Sequence, residues 1–199
     1  MKKNLLFIPE SRKRPITESL LYKQIVRFFE EEKIRDKFEI AFITIESGIV
    51  NQESGESGKH NSLFMIPNSR SLPPRNFRSG SSGVTKEQIE QMADNIVEFI
   101  KTKKQENIKT IVAYCRGAYL EAVNLANQEL RIRNEEKTII HNSCFMIQSI
   151  FSDDELALLK KKGIRWMKIG LRMEEAFTIF QKRIRELLRE NETRQLKLF

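Results

Sequence analysis

Apolar positions along the chain change their spacing several times, and each change marks an element boundary. Residues 4–8, Asn-Leu-Leu-Phe-Ile, form an apolar run closed by Pro9, the pattern of a buried strand. From Thr17, a plausible N-cap, the apolar residues Leu20, Leu21, Ile25, Phe28 and Phe29 recur three or four apart. That spacing predicts a helix to about Lys33. Residues 38–45, rich in β-branched and aromatic side chains and followed by Ser47-Gly48, read as a second strand. Thr85 and Gln88 have capping-box spacing, and Ile89, Met92, Ile96, Phe99 and Ile100 predict a helix to about Lys104. Residues 108–114 read as a third strand, Gly117 opens a helix through Leu120, Val123, Leu125 and Leu130, and residues 137–140 read as a fourth strand. Beyond them the pattern is helical. Ser152 to Glu155 carry start chemistry, Gly163 ends that helix, and Phe177, Phe180, Ile184, Leu187 and Leu188 mark a longer one over about 173–191.

This alternation predicts an α/β fold, a three-layer α/β/α sandwich on a four-stranded parallel sheet, with C-terminal helices and a long loop at 51–84. Residues 1–192 then form a single domain and 193–199 a flexible C-terminal tail. The loop carries Gly55, Gly58, Gly80, Gly83, Pro67, Pro73 and Pro74 with many Ser and Asn, and shows no periodic element. Loops of that length are either disordered or functional.

Composition narrows the class. The chain has 199 residues, 35 Lys+Arg against 27 Asp+Glu, and 40% hydrophobic positions, enough for a real core. Cys115 and Cys144 are too few for a disulfide framework or a four-cysteine zinc site. No apolar run is long enough to span a bilayer or to serve as a secretory signal, so no membrane partner and a cytoplasmic location are expected. The net charge of +8 favours an anionic partner, although scattered lysines also serve solubility. The surplus is not uniform. Residues 57–86 carry Lys59, Arg70, Arg75, Arg78 and Lys86 and no acid.

Open parallel sheets bind ligands at the carboxyl ends of their strands. That rule selects residues 9–15, Ser47-Gly48, residues 115–117 and residues 141–143. Arg12, Lys13 and Arg14 crowd the first site, and Arg116 precedes Gly117 at the third, where helix N–H groups can approach a phosphate. The alternative is a set of solvated loop cations. His141, with Asn142 beside it, is the candidate general base or electrophile at the fourth strand's end, against a His that only hydrogen-bonds locally. Cys115 lacks a CxxC partner and reads as core, and adjacent Arg116 argues only faintly for a reactive thiolate. His60 reads as incidental. No dinucleotide fingerprint, P-loop or zinc pattern occurs, so no cofactor and no metal are expected.

Residues 195–199 read Gln-Leu-Lys-Leu-Phe. Gln195, Leu196, Leu198 and Phe199 offer one hydrogen-bonding side chain and three apolar anchors, suited to capture in a groove. They resemble the bacterial sliding-clamp-binding pentapeptide, which makes a sliding clamp a candidate partner. The competing reading docks Leu196, Leu198 and Phe199 on the protein's own core.

Residues 9–22 also resemble the core motif of archaeosine synthase, a relative of tRNA-guanine transglycosylases. That motif reads PC, three residues, KPY, two residues, S, two residues, H. Pro9, Pro15 and Ser19 keep its spacing, its Lys falls on Arg14, its Cys on Glu10, its Tyr on Ile16 and its His on Tyr22. Ser47, Gly48, Ile49 and Val50 are similar to the family's "GLVP" turn, and residues 83–88 to its "GxW" stretch. The resemblance runs from about residue 3 to 145 and implies a uracil-DNA-glycosylase-like fold. It also implies a His at the end of the last strand, where His141 falls. Glu10, Ser19, Ser47 and Gly48 join Arg12, Arg14, Arg116 and Gly117 as the implied binding set. The family's reaction needs a nucleophilic Lys. Arg14 stays protonated at physiological pH, so it can clamp a phosphate and cannot attack a carbon.

The expectation is a nucleic-acid or nucleotide binding domain, concerned with nucleobase modification in tRNA or DNA. Whether it is an enzyme stays open, the candidates being a base-modifying transferase and a glycosidic-bond hydrolase. The alternatives are a small-molecule nucleoside or phosphosugar hydrolase or transferase, and a non-catalytic interaction module.

Overall fold

Strand β1, Lys3–Pro9, lies at the centre of the sheet because both of its faces are apolar: every residue from Asn4 to Ile8 is buried. A computed structural model of the chain describes residues 2–10, 16–45, 49–52, 84–103, 108–136 and 146–196. β2, Phe38–Ile43, and β4, Ile108–Ala113, flank β1, both parallel to it. β5, Ile147–Ser149, continues the parallel set beyond β4, and β3, Ile49–Gln52, pairs antiparallel with β2. The order is β3-β2-β1-β4-β5. The four parallel strands match the expected α/β sandwich, and the antiparallel edge strand is an addition to it.

The helices divide between the faces. α1, Leu20–Glu31, crosses from β1 to β2 and shares its face with α4, Asp153–Lys160, α5, Ile164–Ile169, and α6, Glu174–Leu196. α2, Lys86–Thr102, and α3, Ala118–Glu136, cover the other face. Side-chain alternation in the strands feeds both layers. Leu6, Ile8, Ile40, Phe42 and Val112 point to the first, and Leu5, Phe7, Ala41, Ile43 and Ile111 to the second.

Local chemistry sets most boundaries. Thr85 with Gln88 forms a reciprocal capping box, as its spacing predicts, and Ser152, expected as a helix start, forms a second one with Glu155. α1 differs: its N-cap is Ser19, which accepts from the Tyr22 N–H at 3.1 Å, while Thr17 sits in a 3₁₀ turn over Ile16–Glu18. The helix stops at Glu31 because Lys33 takes a left-handed conformation at φ 56°. There the Lys33 N–H donates to Glu30 O and the Ile34 N–H to Phe29 O, the paired bonds of a Schellman motif.

Three sequence expectations change here. Residues 137–140, expected as the fourth strand, lie outside the described residues, and the strand beside β4 is residues 147–149. Asn127 of α3 fixes it: its side-chain amide donates to Ile147 O and accepts from Ile147 N, both at 2.9 Å. A three-residue edge strand with one buried side chain leaves no period to read. Likewise Ile49 and Val50, expected in a turn, belong to β3 and pair with Ile43 and Phe42. α6 also continues to Leu196, past the end expected near 191 and into the segment expected to be a tail. Residues 53–83, most of the expected loop, lie outside the described residues.

Candidate functional site at the carboxyl edge

The sheet reverses its build direction between β1 and β4, since β2 was added on one side and β4 on the other. At such a switch point the strand exits diverge and leave a crevice. Phe7 pairs with Ala113, so Glu10 and Arg116 each lie three residues beyond one paired position. The ladder continues past both strands: Tyr114 N donates to Phe7 O at 2.8 Å, and Ile150 N to Ala113 O at 3.0 Å. The N-termini of α1 and α3 open at this same edge, as the crossover from a parallel strand requires.

Beyond β4 the strand alternation persists for three residues and assigns three different roles. The Tyr114 side chain points to the α4–α6 layer, where its buried hydroxyl donates to Leu171 O at 2.6 Å. Burial alone pushes that phenol well above its usual range. Cys115 points the other way, fully buried among α2 and α3 residues, with its thiol pushed up by the same cause. A thiol held protonated is no nucleophile, which agrees with the core reading of Cys115.

Arg116 turns back to the α5 side. Its guanidinium donates from Nη1 to Trp166 O at 2.6 Å and from Nη2 to Met167 O at 3.3 Å, and lies 4.9 Å from the Trp166 ring centroid. A cation at the last turn of a helix meets the negative end of its dipole. Partial burial lowers the Arg116 pKa from its usual value, and an arginine remains protonated regardless. Gly170 makes room for it. A Cβ there would lie 2.6 Å from Arg116 Cζ, and the backbone is at φ 60°. Two of the five guanidinium N–H groups are used, both on neutral carbonyls. Among the described residues no carboxylate pairs with Arg116. Gly117, at φ 56° and exposed, turns the chain into α3, and its carbonyl accepts from Glu121 N at 3.0 Å.

The other expected binding residues separate clearly. Glu10 ties the edge together: its N–H donates to Ile43 O at 2.9 Å, and its carboxylate accepts from Ile45 N at 3.2 Å. Its negative charge is a poor fit to an anion. Ser19 is buried and capping α1. Arg12, Arg14, Ser47, Gly48, His141 and Asn142 lie outside the described residues, as do Leu198 and Phe199. In chain order His141 precedes β5, and the residues that follow β5 are Ile150, Phe151 and Ser152. Sequence reasoning missed Trp166, Gly170 and Leu171, the partners of Arg116 and Tyr114. The single Trp and a glycine seven residues after Gly163 were the available signals.

No family model, curated protein or solved structure matches this chain. Among the described residues no group of three metal-ligating side chains converges, and no helix is long and apolar enough to cross a membrane. A cavity of about 450 Å³ lies between α4 and α6, lined by Leu158, Leu159, Lys162, Glu175 and Ile179 among others. None of the edge residues lines it.

Proposed function

We propose that this chain binds a nucleic acid or nucleotide through its phosphates at the crevice between the exits of β1 and β4. One observation carries the reading: the strand-order reversal sets Arg116, which has no carboxylate partner among the described residues, and the Gly117 opening of α3 beside the exit of β1. Arg12, Lys13 and Arg14 follow that exit within four residues of Glu10 in sequence. Cations and helix N–H groups gathered at a switch point suit a phosphate. The resemblance to archaeosine synthase supports a nucleobase as the group carried on that phosphate. The transglycosylase reaction itself is not part of the proposal, because Arg14 stands where the family has its Lys. Titration with tRNA and with duplex DNA tests it. Binding should weaken steeply with added salt, since each neutralised phosphate releases counterions. Absence of affinity for either polymer and for nucleoside monophosphates at low salt overturns it.

The C-terminal segment supports a second contact, with a sliding clamp. Among the residues of α6 whose burial is described, Ile184 is the last buried one, Leu187 and Leu188 are half-buried, and Arg189, Glu190 and Thr193 are exposed. That fall in burial along the described part of α6 favours presentation of the end of the chain to a partner over docking on the core. Removing residues 195–199 should abolish clamp binding and leave the melting temperature unchanged. A lowered melting temperature would instead assign Leu196, Leu198 and Phe199 to the core.

A further inference from the structure

Among the described residues, the α4–α5 corner is a charged surface that the edge site does not absorb. Lys160 and Lys161 close α4, Lys168 lies in the last turn of α5, and Arg172 in the 3₁₀ turn that follows it. All four are exposed, and none has an ion-pair partner among the described residues. Their neighbours Lys162 and Arg165 differ, because Glu175 pairs with both, at 3.4 and 3.1 Å. Between the two pairs of free cations protrude Ile164 and Met167, 64% and 63% exposed and three residues apart on one side of α5.

Position gives this corner its meaning. Arg116 grips the last carbonyls of α5 and Tyr114 grips Leu171, so the corner is fastened to the end of β4 at the proposed phosphate crevice. Resting on that binding reading, we infer that the ligand is a polynucleotide strand, and that the α4–α5 corner holds its backbone beyond the crevice. A mononucleotide carries its phosphates at one end. Cations set before and after a helix about 9 Å long match a row of phosphates instead. Ile164 and Met167 then meet sugar and base faces between the phosphate contacts. An anionic bilayer is the competing occupant. Leu158, Ile164, Met167 and Ile169 are all exposed here, at 60%, 64%, 63% and 40%, so it is the spacing of the cations before and along α5 that favours the strand.

The test compares the wild-type chain with the combined variant Lys160→Gln, Lys161→Gln, Lys168→Gln and Arg172→Gln, all at exposed positions. The probes are a single-stranded oligoribonucleotide, a nucleoside monophosphate, and phosphatidylcholine vesicles containing phosphatidylserine. The expected result is a roughly tenfold or greater loss of oligonucleotide affinity, and a log-affinity against log-salt slope shallower by about three. Monophosphate binding and the melting temperature should not change. Oligonucleotide binding equal in variant and wild type overturns the corner's role and leaves the crevice reading standing. Wild-type chain that binds neither nucleotide probe overturns both. Vesicle binding lost in the variant, with oligonucleotide binding intact, reassigns the corner to a lipid surface.

Discussion

The two faces of the sheet solve the same problem with different side chains. The α1 and α4–α6 face is aromatic: Phe28, Phe29, Phe38, Phe177 and Phe180 form a connected set, and Tyr114, Phe151 and Trp166 extend it to the carboxyl edge. The α2–α3 face is built from Ile, Val and Met around Ala93, Ala122 and Ala126, which let two helices lie close to the sheet and to each other. Phe99 against Phe7 is its one aromatic pair among the described residues. Large rings span more depth than aliphatic side chains, and their tilted and edge contacts tolerate irregular partners. That is the face on which a short helix, a 3₁₀ turn and two positive-φ glycines are packed. The chain's charged corner stands on the aromatic layer, and its regular helix pair on the aliphatic one.

Opposite substitutions should separate the faces. Phe180 is fully buried and touches the rings of Phe28, Phe29, Tyr114 and Phe177. Phe180→Ala should cost about 3–5 kcal/mol in urea unfolding. A cost below about 1.5 kcal/mol would mean that the aromatic set is loose and repacks. On the other face, Ala126→Leu adds volume where a small residue is buried between helix and sheet, and should cost about 1–3 kcal/mol. If Ala126→Leu is tolerated without loss, that layer holds spare room and the contrast between the faces fails.

The elements that the sequence revealed are those with a repeated period or a two-residue signature. β1, β2 and β4 are long enough to show their apolar pattern, and the Thr85–Gln88 capping box and the Ser152 helix start were visible from spacing alone. What escaped has a tertiary cause. β5 exists because Asn127, twenty residues earlier, takes both polar groups of Ile147. α5 is six residues, below the length at which a helix shows its period, and it is held by Arg116. Arg116 itself was legible as a cation at a strand end, while its grip on Trp166 and Met167, fifty and fifty-one residues away, was not. Ser19 shows the same limit in reverse. It was read as part of a binding set through a family motif, and its side chain caps α1.

A smaller effect resolves the faces one residue apart. Tyr114 and Cys115 are neighbours at the end of β4, one directed to each layer, and burial raises both pKa values. A raised folded value means that the group's contribution is complete below its unfolded pKa and is lost as pH climbs towards the folded one. The unfolded values are about 8.5 for a thiol and about 10 for a phenol. Stability should therefore begin to fall near pH 8.5 through Cys115, and fall more steeply above about pH 10 as Tyr114 joins. Cys115→Ala should remove the first part of that decline and keep the second. Tyr114→Phe should do the reverse. It should also lower stability at neutral pH by about 1–2 kcal/mol, because it strips the hydroxyl from Leu171 O in a buried site. Urea unfolding of the three proteins between neutral and strongly alkaline pH measures both effects. Identical pH profiles for the two variants would show that the layers do not titrate separately, and that the end of β4 opens to solvent as one unit before either group ionises.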